Sequence, residues 1–145
     1  MTWGTILFLV LVGLALPLVW RFDPCLRRFR AYEAELAARD PVPDSEFFHR
    51  YFAADEDGDP RMAPDVPTRV RRIFAEHMEY PAEKLRPDDD LTFFWAELDM
   101  FGLIQELQAG FEITITDEDL ERTPCTIRGA SLLIETKRRI TAAHD

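Results

Sequence analysis

Residues 97–115 read ELDMFGLIQELQAGFEITI. Apolar side chains recur in this stretch every three or four positions, the spacing that places them on one face of an α-helix. The pattern predicts a helix that begins near Glu97, with an inward face formed by Leu98, Phe101, Ile104, Leu107 and Phe111. Residues 113–116 alternate apolar and polar β-branched side chains, but they are too few to form a sheet alone.

The segment before this helix also has a helical period. Asp65 is placed to cap a helix that carries Pro67 in its first turn. The apolar face of that helix holds Val66, Val70, Ile73, Phe74 and His77. A long loop from about residue 80 to 95 then leads to the helix near Glu97.

Two further helices are predicted after residue 116. Asp117, Glu118 and Asp119 open a short helix, and Thr126 caps the last one. The inward face of this last helix is Ile127, Ala130, Leu133 and Ile134. Residues 65–145 therefore predict an antiparallel bundle of three to four helices, and the chain is expected to be all-α.

The order of these features resembles an acyl carrier protein over roughly residues 65–140. The matching positions are Leu98-Asp99, Leu103, Leu107, Phe111, Ile115, the acidic run Asp117-Glu118-Asp119, and Thr126-Ile127. The resemblance implies a carrier-like four-helix bundle whose second helix faces partner proteins. It also implies a prosthetic group, phosphopantetheine, on a serine at the start of that helix.

The attachment serine is missing from this chain. Glu97 occupies its position and Ala96 precedes it. A carboxylate cannot accept phosphopantetheine in that transfer, and the two serines, Ser45 and Ser131, lie elsewhere, while Thr92 stands in a different local sequence. We expect no cofactor at this position. The negative charge of Glu97 is either stabilised by the helix dipole or imitates the phosphate of a modified carrier.

The first twenty residues carry no charged side chain and are long enough, at about 1.5 Å per residue, to cross a bilayer. Residues 1–21 are therefore predicted to be a transmembrane anchor, with a cleaved signal peptide as the alternative. Positive charge follows at Arg21, Arg27, Arg28 and Arg30. This flank predicts a single-pass protein whose soluble part faces the cytoplasm.

Residues 22–64 are predicted to be a helical juxtamembrane linker. An amphipathic helix extends to Arg39, and Asp44 is placed to cap a short helix with an aromatic stripe of Phe47, Phe48, Tyr51 and Phe52. Asp55, Asp57 and Asp59 suggest calcium, but the EF-hand template fails because its glycine and glutamate positions hold Pro60 and Val66. No metal site is expected.

Charge and composition exclude several functions. Residues 1–40 have a net charge of +1 and residues 41–145 of −11, which argues against nucleic-acid binding. Two distant cysteines give neither a disulfide framework nor a zinc site. No nucleophile with a nearby base and no phosphate-binding loop is visible, so we expect no enzymatic activity.

The expected function is protein interaction or regulation at the membrane. Glu97, Asp99 and Glu106 would present negative charge to a basic partner. Phe93, Phe94 and Trp95 precede the same helix and either fold inward or form an exposed contact patch. The alternative function is an unconventional acyl carrier in lipid or polyketide metabolism.

Overall fold

The computed structural model describes residues 24–53, 62–94 and 99–143. Within those ranges the chain is all-α and contains no strand. The helices are α1 (Pro24–Ala38), α2 (Asp44–Tyr51), α3 (Asp65–His77), α4 (Met100–Phe111), α5 (Asp117–Arg122) and α6 (Ile127–Ala142). The chain divides into two compact units. The first, Met1–Arg39, contains α1, and the second, Asp40–Asp145, contains the other helices.

The central helix of the second unit is α3. Its buried residues include Val66, Val70, Ile73 and Phe74, the predicted inward face. It packs against α2, α4 and α6. The following loop adds two 3₁₀ turns, Ala82–Lys84 and Leu91–Phe94, and buries Leu85 and Leu91. The segment predicted as a plain loop therefore contributes to the core.

Helix α4 begins later than its apolar pattern predicted, and the face that it buries differs from the predicted face. It begins at Met100, and Asp99 is its N-cap, accepting a hydrogen bond from Gly102 N at 3.0 Å. Phe101 is 72% exposed, whereas Leu103, Leu107 and Phe111 are buried. At about 100° per residue, Phe101 lies about 200° from Leu103 and so points away from the core. The prediction that Phe101 faces inward is wrong.

Of the three residues predicted to cap helices, Thr126 is confirmed, and the predictions for Asp44 and Asp65 are wrong. Thr116 and Asp119 form a capping box at the start of α5, and Thr126 caps α6 by accepting from Gly129 N at 2.9 Å. Asp44 and Asp65, by contrast, are the first helical residues rather than caps. Prolines 43 and 64 occupy those N-cap positions and offer no side-chain acceptor.

Helix α2 is part of the second unit. Arg71 of α3 is fully buried and donates to the Val42 carbonyl at 3.0 Å and to the Asp44 carboxylate. Its guanidinium lies 3.9 Å from the centre of the buried Phe47 ring. These contacts fix α2 on α3. The boundary between the two units, at Asp40, falls within the predicted linker 22–64.

No helix among the described residues is both long and apolar enough to cross a membrane. The predicted anchor, residues 1–21, lies outside the described residues and stays a prediction. The same applies to Asp55, Asp57 and Asp59 of the acidic loop. The amphipathic helix predicted up to Arg39 is confirmed as α1, and within its unit Arg39 pairs with Glu35 at 2.9 Å.

Candidate functional site: a cavity between four helices

Helices α3, α4, α5 and α6 and the segments between them line an apolar cavity of about 620 Å³ that is partly open to solvent. Phe74 of α3 lies on one side, and the inward face of α4 supplies a second wall. The apolar lining is Phe74, Met100, Leu103, Ile104, Leu107, Ile115, Leu120, Pro124, Ala130, Leu133 and Ile134. The volume lies within the range of about 300–1,000 Å³ that is usual for small-ligand sites.

A small residue, Ala130, contributes to the cavity wall on α6. Ala130 is buried on α6 at a position where a leucine or phenylalanine would fill the space. Gly129 precedes it, and a Cβ there would lie 2.4 Å from the Pro124 carbonyl oxygen, so the backbone approaches closely. An apolar space without an occupant forfeits dispersion contacts, which a bound apolar molecule restores.

Helix α5 forms one side of the cavity and is held there by Asp119. The Asp119 carboxylate accepts from Lys137 Nζ of α6 at 2.6 Å and from the Thr116 backbone N–H at 2.7 Å. It also accepts from the Thr116 hydroxyl at 2.8 Å. The hydrogen bond from Lys137, followed by those from Thr116, lowers the pKa of Asp119 to about 2. This carboxylate therefore joins α5 to α6 next to the cavity.

The Asp119 contacts predict an acid dependence of stability. Because the folded state depresses this pKa below 3.8, the stabilisation is complete above about pH 4 and is lost as the pH falls towards 2. We expect Asp119→Asn to lower the thermal unfolding midpoint at pH 6, and the difference from the native chain to shrink as the pH falls from 4 to 2. Thermal unfolding followed by circular dichroism at a series of pH values measures this difference in midpoint. A constant difference down to pH 2 would contradict the assignment.

The polar groups that line the cavity are few. The Thr92 hydroxyl donates to Asp90 at 2.5 Å, and the Thr123 hydroxyl donates to the Asp119 carbonyl at 2.6 Å. The half-buried thiol of Cys125 also contributes to the wall. Glu121 is exposed and carries the charged group of this lining.

Of the six predicted partner-binding residues, the structure describes the side chains of Asp99, Glu106 and Phe94. Asp99 and Glu106 are exposed on one face of α4, where Glu106 accepts from His77 Nε2 at 2.8 Å. Phe94 is 3% exposed, and its ring centre lies 6.0 Å from that of Tyr80, so it faces inward. Trp95, Glu97 and the Phe93 side chain lie outside the described residues.

The alternative attachment hydroxyls differ in their exposure to solvent: Ser131 is buried, and Thr92 and Ser45 are exposed. Ser131 is fully buried and donates to the Ile127 carbonyl at 2.7 Å. The Thr92 hydroxyl donates a hydrogen bond to Asp90. Ser45 lies in the first turn of α2, which packs against α3 and is distant in sequence from α4. No cluster of three or more metal-ligating side chains is found in the described ranges.

Sequence reasoning missed the cavity and Arg71. The inward positions of α4 and α6 were identified in part, but the space between them depends on how closely whole helices approach. Arg71 lies between apolar residues of α3, and no pattern in the sequence indicates that a charged side chain there is buried. Searches for similar proteins returned no matching family model, curated protein or solved structure. The resemblance to acyl carrier proteins stays a prediction from the residues.

Proposed function

We propose that this chain is a non-catalytic, carrier-like helical module that binds an apolar chain without a covalent bond, in the cavity between α3, α4, α5 and α6. The observation that carries the proposal is the cavity, about 620 Å³ with mainly apolar walls. Glu97 in place of the attachment serine supports non-covalent binding, because a carboxylate cannot take up phosphopantetheine.

The predicted anchor is consistent with this function. A module tethered by residues 1–21 would work at a bilayer surface, where apolar molecules concentrate. The acidic charge of residues 41–145 disfavours adhesion to anionic lipid. The bundle would then stand away from the headgroups and receive or release a chain at its open cavity.

A series of alcohols from 1-hexanol to 1-dodecanol tests the proposal. Each added methylene buries more apolar area, worth about 0.8 kcal/mol or about fourfold in affinity, until the cavity is full. We expect affinity for the full-length chain in lipid nanodiscs to rise with chain length and then level off. Affinity is calculated from the free aqueous alcohol concentration, so that uptake of alcohol by the lipid does not change the dissociation constant.

Protection of Cys125 from a thiol reagent provides the readout for this series. Cys125 lines the cavity, and Cys25, the other cysteine of the chain, serves as the internal reference, so the ratio of their labelling rates reports occupancy at Cys125. Peptide mass spectrometry gives both rates in one sample. Binding that leaves the ratio unchanged for every alcohol would overturn the proposed function.

Contact with a basic protein is the second candidate function. Phe101 favours it, because an aromatic ring that is 72% exposed on α4, near the acidic Asp99, provides an apolar anchor beside negative charge. Affinity capture from solubilised membranes would compare the intact chain with Phe101→Ser and Glu97→Ser. Identical capture by the intact chain and Phe101→Ser would reject this contact surface.

A further inference from the structure

Glu121 carries the charge of the cavity lining, and its surroundings make it a candidate for ligand recognition. It lies on α5, one residue after Leu120, and both side chains contribute to the cavity wall. Its carboxylate forms no hydrogen bond or ion pair with any residue that the structure describes. An exposed carboxylate beside an apolar cavity can therefore meet the polar end of a bound chain.

The cations near the cavity are engaged elsewhere. Arg122 pairs with Glu118 at 2.6 Å, Lys137 with Asp119 at 2.6 Å, and Arg128 with Asp88 at 2.6 Å. No lysine or arginine contributes to the lining among the described residues. An anionic headgroup would thus find no cation in the wall and would face the carboxylate of Glu121.

The remaining polar groups of the lining do not compete with Glu121. The hydroxyls of Thr92 and Thr123 donate to Asp90 and to the Asp119 carbonyl. The net charge of −11 on residues 41–145 adds a field that repels anions and attracts cations. The net charge of residues 41–145 and the position of Glu121 therefore both favour a cationic ligand over an anionic one.

We propose that the cavity selects an apolar chain that ends in a cation, such as a primary long-chain ammonium, and that Glu121 binds this cationic end. The inference rests on the proposed function, since it names the ligand class of the same cavity. It distinguishes the site from one built for fatty carboxylates, which would need a cation where Glu121 stands.

Three probes of equal chain length test this selectivity, namely dodecylammonium, 1-dodecanol and dodecanoate. Each is added to the full-length chain in neutral nanodiscs at pH 7, and Cys125 protection is measured against the free aqueous probe. We expect dodecylammonium to bind about fivefold more tightly than 1-dodecanol, the size of an exposed ion pair, and dodecanoate to bind more weakly than both.

Two variants remove the same charge from α5. Glu121→Gln should remove most of the preference for dodecylammonium over 1-dodecanol. Asp117→Asn is the matched control, because it is exposed on α5 outside the cavity lining and should leave the preference unchanged. An equal loss in both variants would assign the preference to net charge and overturn the role of Glu121.

The outcomes separate this inference from the proposed function. Protection of Cys125 by all three probes with equal affinity would keep the function and overturn the selectivity. Tighter binding of dodecanoate than of dodecylammonium would do the same. Absence of protection by any probe would overturn both. Dodecylammonium preference that disappears only in Glu121→Gln is the result that supports the inference.

Discussion

Replacing Arg71 with methionine is expected to lower the free energy of unfolding by about 3 kcal/mol, the lower end of the range for breaking a buried ion pair. The Arg71 side chain is 0% exposed and binds both the Val42 carbonyl and the Asp44 carboxylate. Methionine removes these donors, together with the cation beside the Phe47 ring. The Val42 carbonyl, just before α2, and the Asp44 carboxylate would then be left without their buried donor.

Arg72 provides the matched control for this prediction. It pairs with the same Asp44 carboxylate, but its side chain is 60% exposed. Arg72→Met is therefore expected to cost less than about 1 kcal/mol. Urea unfolding followed by circular dichroism compares the two variants. Equal losses of stability in the two variants would contradict the prediction that burial makes Arg71 contribute more than Arg72 to the free energy of unfolding.

The same ion pairs set the charge state of Asp44. Burial alone would raise the pKa of this carboxyl, but hydrogen bonds from Arg71 and Arg72 outweigh burial and lower the pKa below 3.8. The carboxylate thus stays charged at neutral pH and keeps α2 on α3. Acid that protonates Asp44 should weaken this contact, since a lowered pKa gives stability that falls as pH falls.

Enlarging Ala130 to leucine is expected to weaken the binding of the longest alcohol that the cavity accepts by at least about tenfold. The added atoms occupy the space of about three methylene groups, each worth about 0.8 kcal/mol of ligand burial. Short alcohols should bind as before, because they do not need that space. The chain length at which affinity levels off should therefore become shorter.

Ala109→Leu is the matched control, because Ala109 is exposed on α4 and lies outside the cavity lining. It makes the same chemical change on the outer surface and should leave the affinity series unaltered. Leu133→Phe offers a second way to fill the cavity should Ala130→Leu lose helical content. Unchanged binding in both cavity variants would place the ligand elsewhere.

The sequence predicted those features that depend on neighbours along the chain. Thr126 and the Thr116–Asp119 region were identifiable because caps are formed by residues three positions apart. Phe101 was misplaced because its apolar character fitted two helical faces, and packing against α3 selects the face that carries Leu103 and Leu107. Local chemistry alone does not fix that face.

The features that were missed depend on contacts between distant segments. Arg71 is buried only because residues 42–47 fold back over α3, and nothing within α3 itself indicates this. The cavity similarly arises from the spacing of α3, α4, α5 and α6 rather than from a motif. Glu121 gains its candidate role from that space, so sequence reasoning had no basis for selecting it.

Photolabelling with a dodecanol that carries a diazirine tests binding in the cavity most directly. After illumination of the full-length chain, peptide mass spectrometry locates the modified residues. The account predicts adducts at Leu103, Leu107 and Ile134, which line the cavity, and their loss when unlabelled 1-dodecanol competes. Adducts confined to the exposed Phe101, Leu132 and Ile140 would contradict it.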